Sequence, residues 1–546
     1  MKILTVIPAR GGSRGIPKKN IRFIAGQPLL AYAIKCAKAS SYDMEVVVTS
    51  DEEEIQNIAR RFEARVVERP AELAGDSVTL DPVICHAVMA MEETSQCRYD
   101  IVITMQPTSP LLSAETLDEA IGFFIENEYD TVLSGVNDPR LSWRIENGQC
   151  VPNYVERLNR QYMPKELKET GAFVITKRAF VTPESRFGSR VSVFEVPEHE
   201  AGDIDTPQDW LIAQYELQRK RIMIRLEGYP QIGLGHIYRG LRLAENFIEH
   251  DLLFVISERS QLGIQKLEQS HYPYRVIADE EDFFAYLDEF RADIVINDIL
   301  DTDITYMQRL RKSGARVVNF EDMGEGSQLA DAVINALYEK EEETPNIYWG
   351  DKYYLIRDEF LLEPPRSFQE EVKEILVIFG GTDPNDLTEK TVKALVKLPE
   401  EQGIHCTVIL GMGYPYAEKI RNLVSGMPDR FDVVQDVKMM MEYMGKADIA
   451  VSSQGRTMLE LVAMRVPTIL MAQNEREMTH AFVSLENGFL NLGMGKMIEA
   501  DTVYETLQWL IHCPSIRRNM WEQMSKKDLT HGAERVKRII LGENEI

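Results

Sequence analysis

Residues 3–20 read ILTVIPARGGSRGIPKKN, and this stretch predicts how the first domain begins. The apolar run at 3–7 is typical of a buried strand, and a glycine-rich loop follows it directly. Glycine allows close approach and exposes backbone N–H groups to a phosphate. The loop also carries cationic donors, namely Arg10, Arg14, Lys18 and Lys19. A triphosphate site is therefore one interpretation, and a flexible glycine turn with solvated basic residues is the other.

Short β-branched runs alternate with amphipathic stretches along the whole chain. In the first part we predict strands at 3–7, 45–49 and 101–105 and helices at 28–39, 52–62 and 113–125. Further strands are predicted in two later series, at 221–225, 252–257, 293–297 and 316–320, and at 374–379, 405–410 and 449–452. This alternation predicts an α/β fold with largely parallel sheets.

The length of 546 residues exceeds what one hydrophobic core supports, so several domains are expected. A predicted helix at 209–220 ends in charged residues and is followed at once by a new apolar strand. We predict three α/β lobes, at 1–218, 219–365 and 366–546. The last two are expected to form one functional unit, because each carries half of a plausible site.

The chain is acidic, with 61 Lys and Arg residues against 87 Asp and Glu residues and a net charge of −26. Nucleic acids and anionic membranes attract basic proteins, so neither is an expected partner. The six cysteines form no CxxC pair, which disfavours zinc and redox motifs and favours reduced thiols in the cytoplasm. The apolar run near the start stops at Pro8, too short for a signal peptide, and no run approaches 18 apolar residues.

The motif IPARGGSRGIPKKNI, which begins at Ile7, resembles the signature of the CMP-sialic acid synthetase (acylneuraminate cytidylyltransferase) family. Three further blocks resemble that family in the same order: RPAELA at 69–74, QPTSPL at 106–111 and GDIDT at 202–206. The resemblance implies a Rossmann-like nucleotidyltransferase domain. Its implied reaction is attack of a sugar's anomeric hydroxyl on the α-phosphorus of CTP, giving a CMP-sugar and pyrophosphate.

The same resemblance implies a nucleotide site. Its catalytic residues would be Arg10 and Lys19, which would bind the CTP phosphates and support the departure of pyrophosphate. The other expected nucleotide contacts are Gly11, Gly12, Arg14, Arg69 and Asp76. Arg14 stands where the family commonly has lysine, which changes the phosphate geometry mildly.

The resemblance further implies that Asp203 and Asp205 hold Mg²⁺ and that Gln106 contacts the acid sugar. Carboxylates at positions i and i+2 of an extended segment point the same way and suit a hard cation. The alternative is a turn or a helix N-cap before Pro207. Arg157 and Arg160 are candidate partners of the sugar carboxylate.

Thr170 stands where many family members have Asn before a glycine, which leaves the identity of the nine-carbon sugar open. The family resemblance also implies a homodimer formed through the first domain.

A second glycine-rich loop, QIGLGHIYRGL at 231–241, follows the predicted strand at 221–225. It places His236 where open α/β sheets bind ligands, and histidine moves protons near neutral pH. The alternative for a single histidine is a structural role. Later loops add FGGTD at 379–383 and SSQGRTMLEL at 452–461.

Two Rossmann-like lobes with such loops resemble the GT-B fold of nucleotide-sugar enzymes. The three motifs resemble the pseudaminic-pathway UDP-sugar hydrolase family and its spore-coat glycosyltransferase-like relatives. The resemblance implies that His236 is the general base that activates water, which releases UDP from a UDP-diacetamido-trideoxyhexose. Its expected nucleotide contacts are Gly381, Thr382, Ser453, Glu460 and Asn474.

Glu460 would accept hydrogen bonds from the ribose; its alternative is an exposed helix charge. The segment 225–230 lacks the Ser/Asp-rich run of that hydrolase family. A glycosyltransferase, a hydrolysing UDP-GlcNAc 2-epimerase and a non-catalytic nucleotide-sugar-binding module therefore stay open. A hydrolase and a cytidylyltransferase would flank one condensation step with a three-carbon acid, which favours pseudaminic or legionaminic acid as the product to be activated.

Overall fold

The computed structural model describes residues 1–12, 15–75, 77–229, 232–338, 345–362, 364–435, 437 and 439–543. The chain divides into two compact units, Met1–Arg219 and Lys220–Ile546. This division lies one residue from the predicted boundary. In the described parts of the chain, no helix combines the length and the apolar character needed to cross a membrane.

The first unit is built on one seven-stranded sheet and two small hairpins. Its strands are β1 (Ile3–Pro8), β2 (Phe23–Ile24), β3 (Gln27–Pro28), β4 (Met44–Ser50), β5 (Arg65–Glu68), β6 (Ile101–Met105), β7 (Thr131–Asn137), β8 (Trp143–Glu146), β9 (Gln149–Pro152), β10 (Leu167–Lys177) and β11 (Val191–Glu195). Its helices are α1 (Leu29–Ala39), α2 (Glu53–Arg61), α3 (Leu80–Ser95), α4 (Ala114–Glu126) and α5 (Pro207–Gln218).

The seven strands lie in the order β11-β7-β10-β6-β1-β4-β5, and only β10 runs antiparallel to its neighbours. The central strands are buried on both faces, as expected of continuous apolar runs between helices. Because β1, β4 and β6 are parallel, their carboxyl ends meet at one edge. The glycine-rich loop leaves β1 at this edge, which is where an α/β sheet binds ligands.

The second unit begins with a seven-stranded, wholly parallel sheet in the order β14-β13-β12-β15-β16-β17-β18. Its strands are β12 (Arg221–Leu226), β13 (Asp251–Ser257), β14 (Tyr274–Ile277), β15 (Ile294–Asp298), β16 (Arg316–Phe320), β17 (Ala332–Asn335) and β18 (Ile347–Trp349). The helices of this first lobe are α6 (Gly235–Glu245), α7 (Gln261–Ser270), α8 (Glu280–Phe290) and α9 (Ile304–Arg311).

The second lobe carries a six-stranded parallel sheet in the order β21-β20-β19-β22-β23-β24. Its strands are β19 (Glu374–Ile378), β20 (His405–Leu410), β21 (Phe431–Gln435), β22 (Ile449–Ser453), β23 (Thr468–Ala472) and β24 (Phe489–Met494). The helices that follow β19 are α10 (Leu387–Val396), α11 (Ala417–Val424), α12 (Met440–Met444), α13 (Thr457–Ala463), α14 (Ala500–His512), α15 (Pro514–Met524) and α16 (Gly532–Leu541). Two Rossmann-like lobes in one unit confirm the predicted GT-B-like fold.

The last helix departs from the predicted lobe boundaries. The prediction places 366–546 in the second lobe, but α16 packs on the first: Val536, Ile539 and Ile540 are buried in the core of the first sheet. The spacing of these residues shows that one face of the helix is apolar. The spacing does not say which sheet that face covers, so the assignment by chain order was wrong for α16.

Candidate active sites

The glycine-rich loop lies beside a buried arginine. The amide of Ala9 donates to the carbonyl of Thr49 at 3.1 Å, and Arg69 Nη2 donates to the same carbonyl at 2.9 Å. Arg69 is only 6% exposed, and its Nε has no hydrogen-bond partner in the described parts of the chain. Burial lowers the pKa of Arg69, and the nearby charge of Arg10 lowers it further. Two cations held close together beside a loop are suited to an anion with several charges.

Lys19 is also buried and is fixed from two sides. Its Nζ donates to the carbonyl of Ile204 at 2.5 Å and to Asp205 Oδ1 at 3.1 Å. Next to it, Asn20 Nδ2 donates to the carbonyl of Arg10 at 2.9 Å, so the two ends of the loop are tied together. The neighbouring Lys18, in contrast, is exposed and pairs with Glu54.

The segment that carries Asp203 and Asp205 contacts the loop directly. A Cβ on Gly15 would lie 2.4 Å from the carbonyl oxygen of Asp205, so only glycine fits there. The N-cap of α5 is Thr206, whose hydroxyl accepts from the amide of Asp209 at 3.2 Å in a capping box. Neither Asp203 nor Asp205 uses its carboxylate to cap the helix.

These two carboxylates fit the expected Mg²⁺. Desolvation by the surrounding protein, together with the charge of Asp205, raises the pKa of Asp203, and a bound cation would favour the charged form of this carboxyl group. The oxygen donors suit a hard ion. In the described ranges, no group of three or more His, Cys, Asp or Glu residues could hold a metal. A cation held by Asp203 and Asp205 would therefore complete its shell with water and substrate oxygens.

Gln106 follows β6 and lies against Gly171. Its Nε2 lies 3.0 Å from where a Cβ of Gly171 would be, and Gly171 has φ +73. The amide of Ile204 donates to the carbonyl of Thr108 at 2.8 Å, which joins the QPTSPL and GDIDT blocks. Thr170 points inward, where its hydroxyl donates to Ser134 Oγ at 2.9 Å.

The remaining predicted residues of this unit differ in placement. Arg157 and Arg160 are exposed, and Arg160 pairs with Glu198 at 3.3 Å. Gly11 packs against the side chain of Glu52, and Gly12 is exposed in the loop. The other two predicted contacts, Arg14 and Asp76, lie outside the described residues.

In the second unit, a cavity of about 810 Å³ opens at the carboxyl ends of both sheets. Both lobes line it, the first through the loop that opens α6 and the second through the loops after β19, β22 and β23. This volume lies within the range of small-molecule binding sites. The residues predicted for this site all line the cavity: His236, Gly381, Thr382, Ser453, Glu460 and Asn474.

His236 lies at the start of α6 and is held by a buried acid. Its Nδ1 forms a hydrogen bond with Asp298 Oδ1, at the end of β15. Arg239, one turn along α6, donates Nε to Asp298 Oδ2 at 2.5 Å and Nη2 to Oδ1. Burial alone would raise the pKa of Asp298, but Arg239 and His236 hold it well below its usual range. The anionic Asp298 therefore fixes the imidazole with Nε2 directed away from it.

Glu321 adds a second carboxyl group to this cluster. It follows β16 with φ +52, and its Oε1 accepts from Arg239 Nη1 at 3.2 Å. Its amide donates to the carbonyl of Ile334 at 3.0 Å, and its own carbonyl accepts from Arg476 of the second lobe. Arg476 also pairs with Asp301 at 2.9 Å, so it joins the two lobes beside the cleft.

The predicted diphosphate residues lie in the second lobe. Ser453 is buried at the end of β22, while Asn474 is exposed and accepts the amide of Glu477 at 3.0 Å. The loop after β19 is anchored by Asp383, which accepts the amides of Leu387 and Thr388 at the start of α10. This anchoring leaves Gly381 and Thr382 on the cleft side.

Glu460 lies on α13 and lines the cleft, so the alternative of an exposed helix charge is wrong. Its Oε1 accepts from Arg357 Nε at 2.8 Å. Arg357 also pairs with Glu359 at 2.7 Å, and the two carboxylates outweigh burial to raise the pKa of Arg357. Glu460 keeps a second oxygen for a ligand hydroxyl.

Two further titratable groups of the second lobe line the cavity. Burial raises the pKa of Glu477 to about 7, although the amide of Gln473 donates to its Oε2 at 2.8 Å. Burial lowers the pKa of His480 to about 4, although its Nδ1 contacts the carbonyl of Gln454 at 2.6 Å. Burial thus favours the uncharged forms of both groups: His480 binds a proton less readily than an exposed histidine, and Glu477 binds one more readily than an exposed glutamate.

The comparisons with known proteins find a different family model in each of the two units. Residues 4–198 match the family model described as Cytidylyltransferase. The pseudaminic acid cytidylyltransferase of Campylobacter jejuni is 34% identical over 219 residues, which are 38% of this chain and 93% of that protein. This chain belongs to the cytidylyltransferase family. The membership rests on the first unit alone.

Beyond the cytidylyltransferase unit, residues 375–534 match the family model described as Glycosyltransferase family 28 C-terminal domain. The spore coat polysaccharide biosynthesis protein SpsG of Bacillus subtilis is 25% identical over 289 residues, 50% of this chain and 84% of that protein. An uncharacterized protein of Methanocaldococcus jannaschii is 27% identical over 322 residues, and the match spans 66% of its length. The second unit thus resembles glycosyltransferase-like GT-B proteins.

Sequence reasoning missed several residues of both sites. In the cytidylyltransferase unit it missed Asn20, although this residue lies in the quoted motif. In the second unit it missed Asp298, Arg239 and Glu321. Arg239 stands three residues after His236 on a helix, which places both on one face. Asp298 and Glu321 each lie at the carboxyl end of an apolar strand, a position that open sheets use for ligands.

Proposed function

We propose that the first unit transfers CMP from CTP to a nonulosonic acid of the sialic, pseudaminic or legionaminic class and releases pyrophosphate. The observation that carries this proposal is the convergence of Lys19, Arg10 and Arg69 with the Asp203–Asp205 segment at one sheet edge. The likeness to a pseudaminic acid cytidylyltransferase over most of its length supports it.

In this reaction the sugar's anomeric hydroxyl attacks the α-phosphorus of CTP and loses its proton to solvent. The bond between that phosphorus and the oxygen that bridges to the β-phosphorus breaks, and pyrophosphate leaves. Lys19 and Arg69 are buried cations, and buried charges interact with phosphates more strongly than exposed ones. They would neutralise the leaving pyrophosphate together with Arg10. Asp203 and Asp205 would hold Mg²⁺, which supplies charge neutralisation at the reacting phosphates.

At the sugar end, Gln106 would contact the acid sugar, while Arg157 and Arg160 stay candidate partners of its carboxylate. The inward-pointing Thr170 cannot reach a substrate through its hydroxyl while it is bonded to Ser134. A change from Asn to Thr at this position would then remove one polar sugar contact. This supports a sugar that differs from that of family members with Asn there.

The test compares two adjacent lysines. Lys19→Met should abolish pyrophosphate release from CTP and a nonulosonic acid, because the variant loses the buried ammonium. Lys18→Met is the matched control and should retain activity, since Lys18 pairs at the surface with Glu54. A panel of nonulosonic acids with mass spectrometry of the products identifies the sugar. Full turnover by Lys19→Met would contradict the proposed role.

For the second unit, we propose hydrolysis of a UDP-diacetamido-trideoxyhexose to the free sugar and UDP. The observation that carries it is that His236 lines the cleft and is hydrogen-bonded to the buried Asp298 behind it. With Nδ1 occupied by Asp298, the other imidazole nitrogen can take a proton from water that attacks the anomeric carbon. Gly381, Thr382 and Ser453 would hold the diphosphate.

The fragment 220–546 tests this proposal with UDP-sugars and no acceptor. We expect free UDP and a sugar of unchanged configuration at C2, and we expect His236→Gln to abolish turnover while exposed His271→Gln retains it. A sugar epimerised at C2 would indicate a hydrolysing epimerase, and release that needs an acceptor would indicate a glycosyltransferase. Binding without turnover would indicate a non-catalytic module.

A further inference from the structure

Glu321 has an unfavourable backbone conformation in the second unit. It follows strand β16 with φ +52, in the left-handed region that residues with a Cβ avoid. The position is held from both sides, since its amide donates to Ile334 and its carbonyl accepts from Arg476. Strained residues of this kind persist where the surrounding structure enforces them, and they concentrate at ligand sites.

The carboxyl group of Glu321 is buried, and its two oxygens differ in their hydrogen bonding. The residue is 5% exposed and lines the cleft. Oε1 accepts from Arg239, whereas Oε2 has no hydrogen-bond partner among the residues that the structure describes. Leaving a buried carboxylate oxygen unbonded is unfavourable, so native proteins rarely retain one without a ligand or a special role.

The neighbouring arginines do not supply a hydrogen-bond partner for Oε2. Arg239 already makes two hydrogen bonds to Asp298. Arg476 bonds to the carbonyl of Glu321 and to Asp301 rather than to the Glu321 carboxyl group. The charges of Arg239, Arg456 and Arg476 stabilise the anion, but burial dominates and raises the pKa of Glu321.

We propose that Glu321 is a sugar-contacting residue of the second unit, whose Oε2 accepts a hydrogen bond from a hydroxyl or amide N–H of the bound hexose. The inference rests on the proposed function of this unit. A carboxylate repels the diphosphate, which is assigned to the loops of the second lobe, so its partner is an uncharged donor on the sugar. Glu321 is linked to His236 through Arg239 and Asp298, which places it in the cluster where the anomeric carbon would react.

The test measures affinity for the nucleotide and the sugar separately in the full chain. Calorimetry compares UDP with a non-hydrolysable phosphonate analogue of the UDP-diacetamido-trideoxyhexose. Glu321→Gln keeps an oxygen for Arg239 but replaces the Oε2 acceptor by an NH₂ donor. Glu325→Gln, an exposed change on the same loop, is the matched control.

For Glu321→Gln we expect UDP affinity within about twofold of the wild type and an analogue-to-UDP affinity ratio reduced about tenfold or more. Glu325→Gln should leave both unchanged. An unchanged ratio in a folded Glu321→Gln variant would overturn the inference alone. A wild-type protein that binds neither UDP nor the analogue would overturn the proposed function as well.

A second measurement covers the case in which the variant does not fold. A crystal structure of the wild-type protein with the analogue should place Oε2 within about 3.2 Å of a sugar hydroxyl or amide nitrogen. An Oε2 that remains without a sugar contact in that complex would overturn the inference.

Discussion

At the scale of single residues, Asp298 determines how His236 can act. Its carboxylate is fully buried and remains anionic because Arg239 binds it with two donors. An anion at Nδ1 holds the proton on that nitrogen and leaves Nε2 as the acceptor. The same anion stabilises the imidazolium that forms when water loses a proton. The base and its orientation therefore depend on one strand-end residue.

Replacing Asp298 by Asn should reduce UDP release by about 10²–10⁴-fold, because the amide no longer stabilises the charged imidazole. The affinity for UDP should stay within about threefold, since Asp298 lies below the cleft surface. Asp293→Asn, an exposed change just before the same strand, is the control. Steady-state kinetics and calorimetry measure both effects, and an unchanged kcat in Asp298→Asn would contradict the role.

Asp205→Asn should raise the Mg²⁺ concentration needed for tight CTP binding by about tenfold or more. Removing a negative charge beside the phosphates should not weaken CTP binding in the absence of divalent cations. Calorimetric CTP titrations across a Mg²⁺ series separate these effects. Exposed Asp43→Asn should behave as the wild type. Identical Mg²⁺ dependence in both variants would indicate that Asp205 serves only as the partner of Lys19.

The sequence predicts residues that lie in motifs, and it misses residues of the second site that no motif marks. Lys19, Arg69 and Asp205 lie in motifs whose order resembles a family, and the positive residues oppose the chain's acidic charge. Glu321 gives no comparable signal, because its left-handed backbone and its unpartnered oxygen exist only after folding. Asp298 follows an apolar strand, but the sequence does not say which strand-end acid reaches His236.

At the scale of elements, the best predictions concern strands buried on both faces. Ile101–Met105, Arg316–Phe320 and His405–Leu410 have the bounds that their apolar runs predict. The hairpin Trp143–Glu146 and Gln149–Pro152 was missed because its residues are largely exposed, so no burial pattern marks it. Strand prediction from hydrophobicity depends on burial, and an exposed hairpin offers little of it.

The short segment after β23 carries two groups with opposite effects on stability. The pKa of Glu477 is raised to about 7, so the folded state binds more protons than the unfolded state between about pH 4.5 and 7, and stability falls with rising pH there. The pKa of His480 is lowered to about 4, so the unfolded state binds more protons between about pH 4 and 6.5, and stability rises. The two contributions oppose each other between about pH 4.5 and 6.5.

Single substitutions should reveal each contribution. The free energy of unfolding of Glu477→Gln relative to the wild type should rise from pH 4.5 to 7, because the destabilising ionisation is removed. The free energy of unfolding of His480→Gln should fall relative to the wild type from pH 4 to 6.5. The wild type gains stability over this range because the unfolded state loses its bound proton, and the variant lacks this gain. Denaturant titrations at several pH values measure both differences. Parallel pH profiles for both variants would contradict the assigned pKa directions.

At the scale of the whole molecule, the two units have separate hydrophobic cores, and α16 belongs to the second unit's first lobe. Arg316 fixes that helix by donating to the carbonyls of Ile539 and Ile540 at 3.0 and 3.1 Å. The end of the second lobe's sequence thus completes the core of the first lobe. Chain order predicts three lobes, but it does not predict that α16 packs against the first sheet of the second unit.

Separate cores predict separate unfolding. Calorimetry of the full chain should show two transitions: CTP with Mg²⁺ at about 100 Kd should stabilise one by about 2.7 kcal/mol, and UDP should stabilise the other. Ile540→Ala removes a fully buried side chain and should lower only the UDP-responsive transition, at a cost of about 2–5 kcal/mol. The exposed Ile248→Ala is the control. A single transition that either ligand raises would contradict this prediction, because the two units would then unfold as one cooperative body.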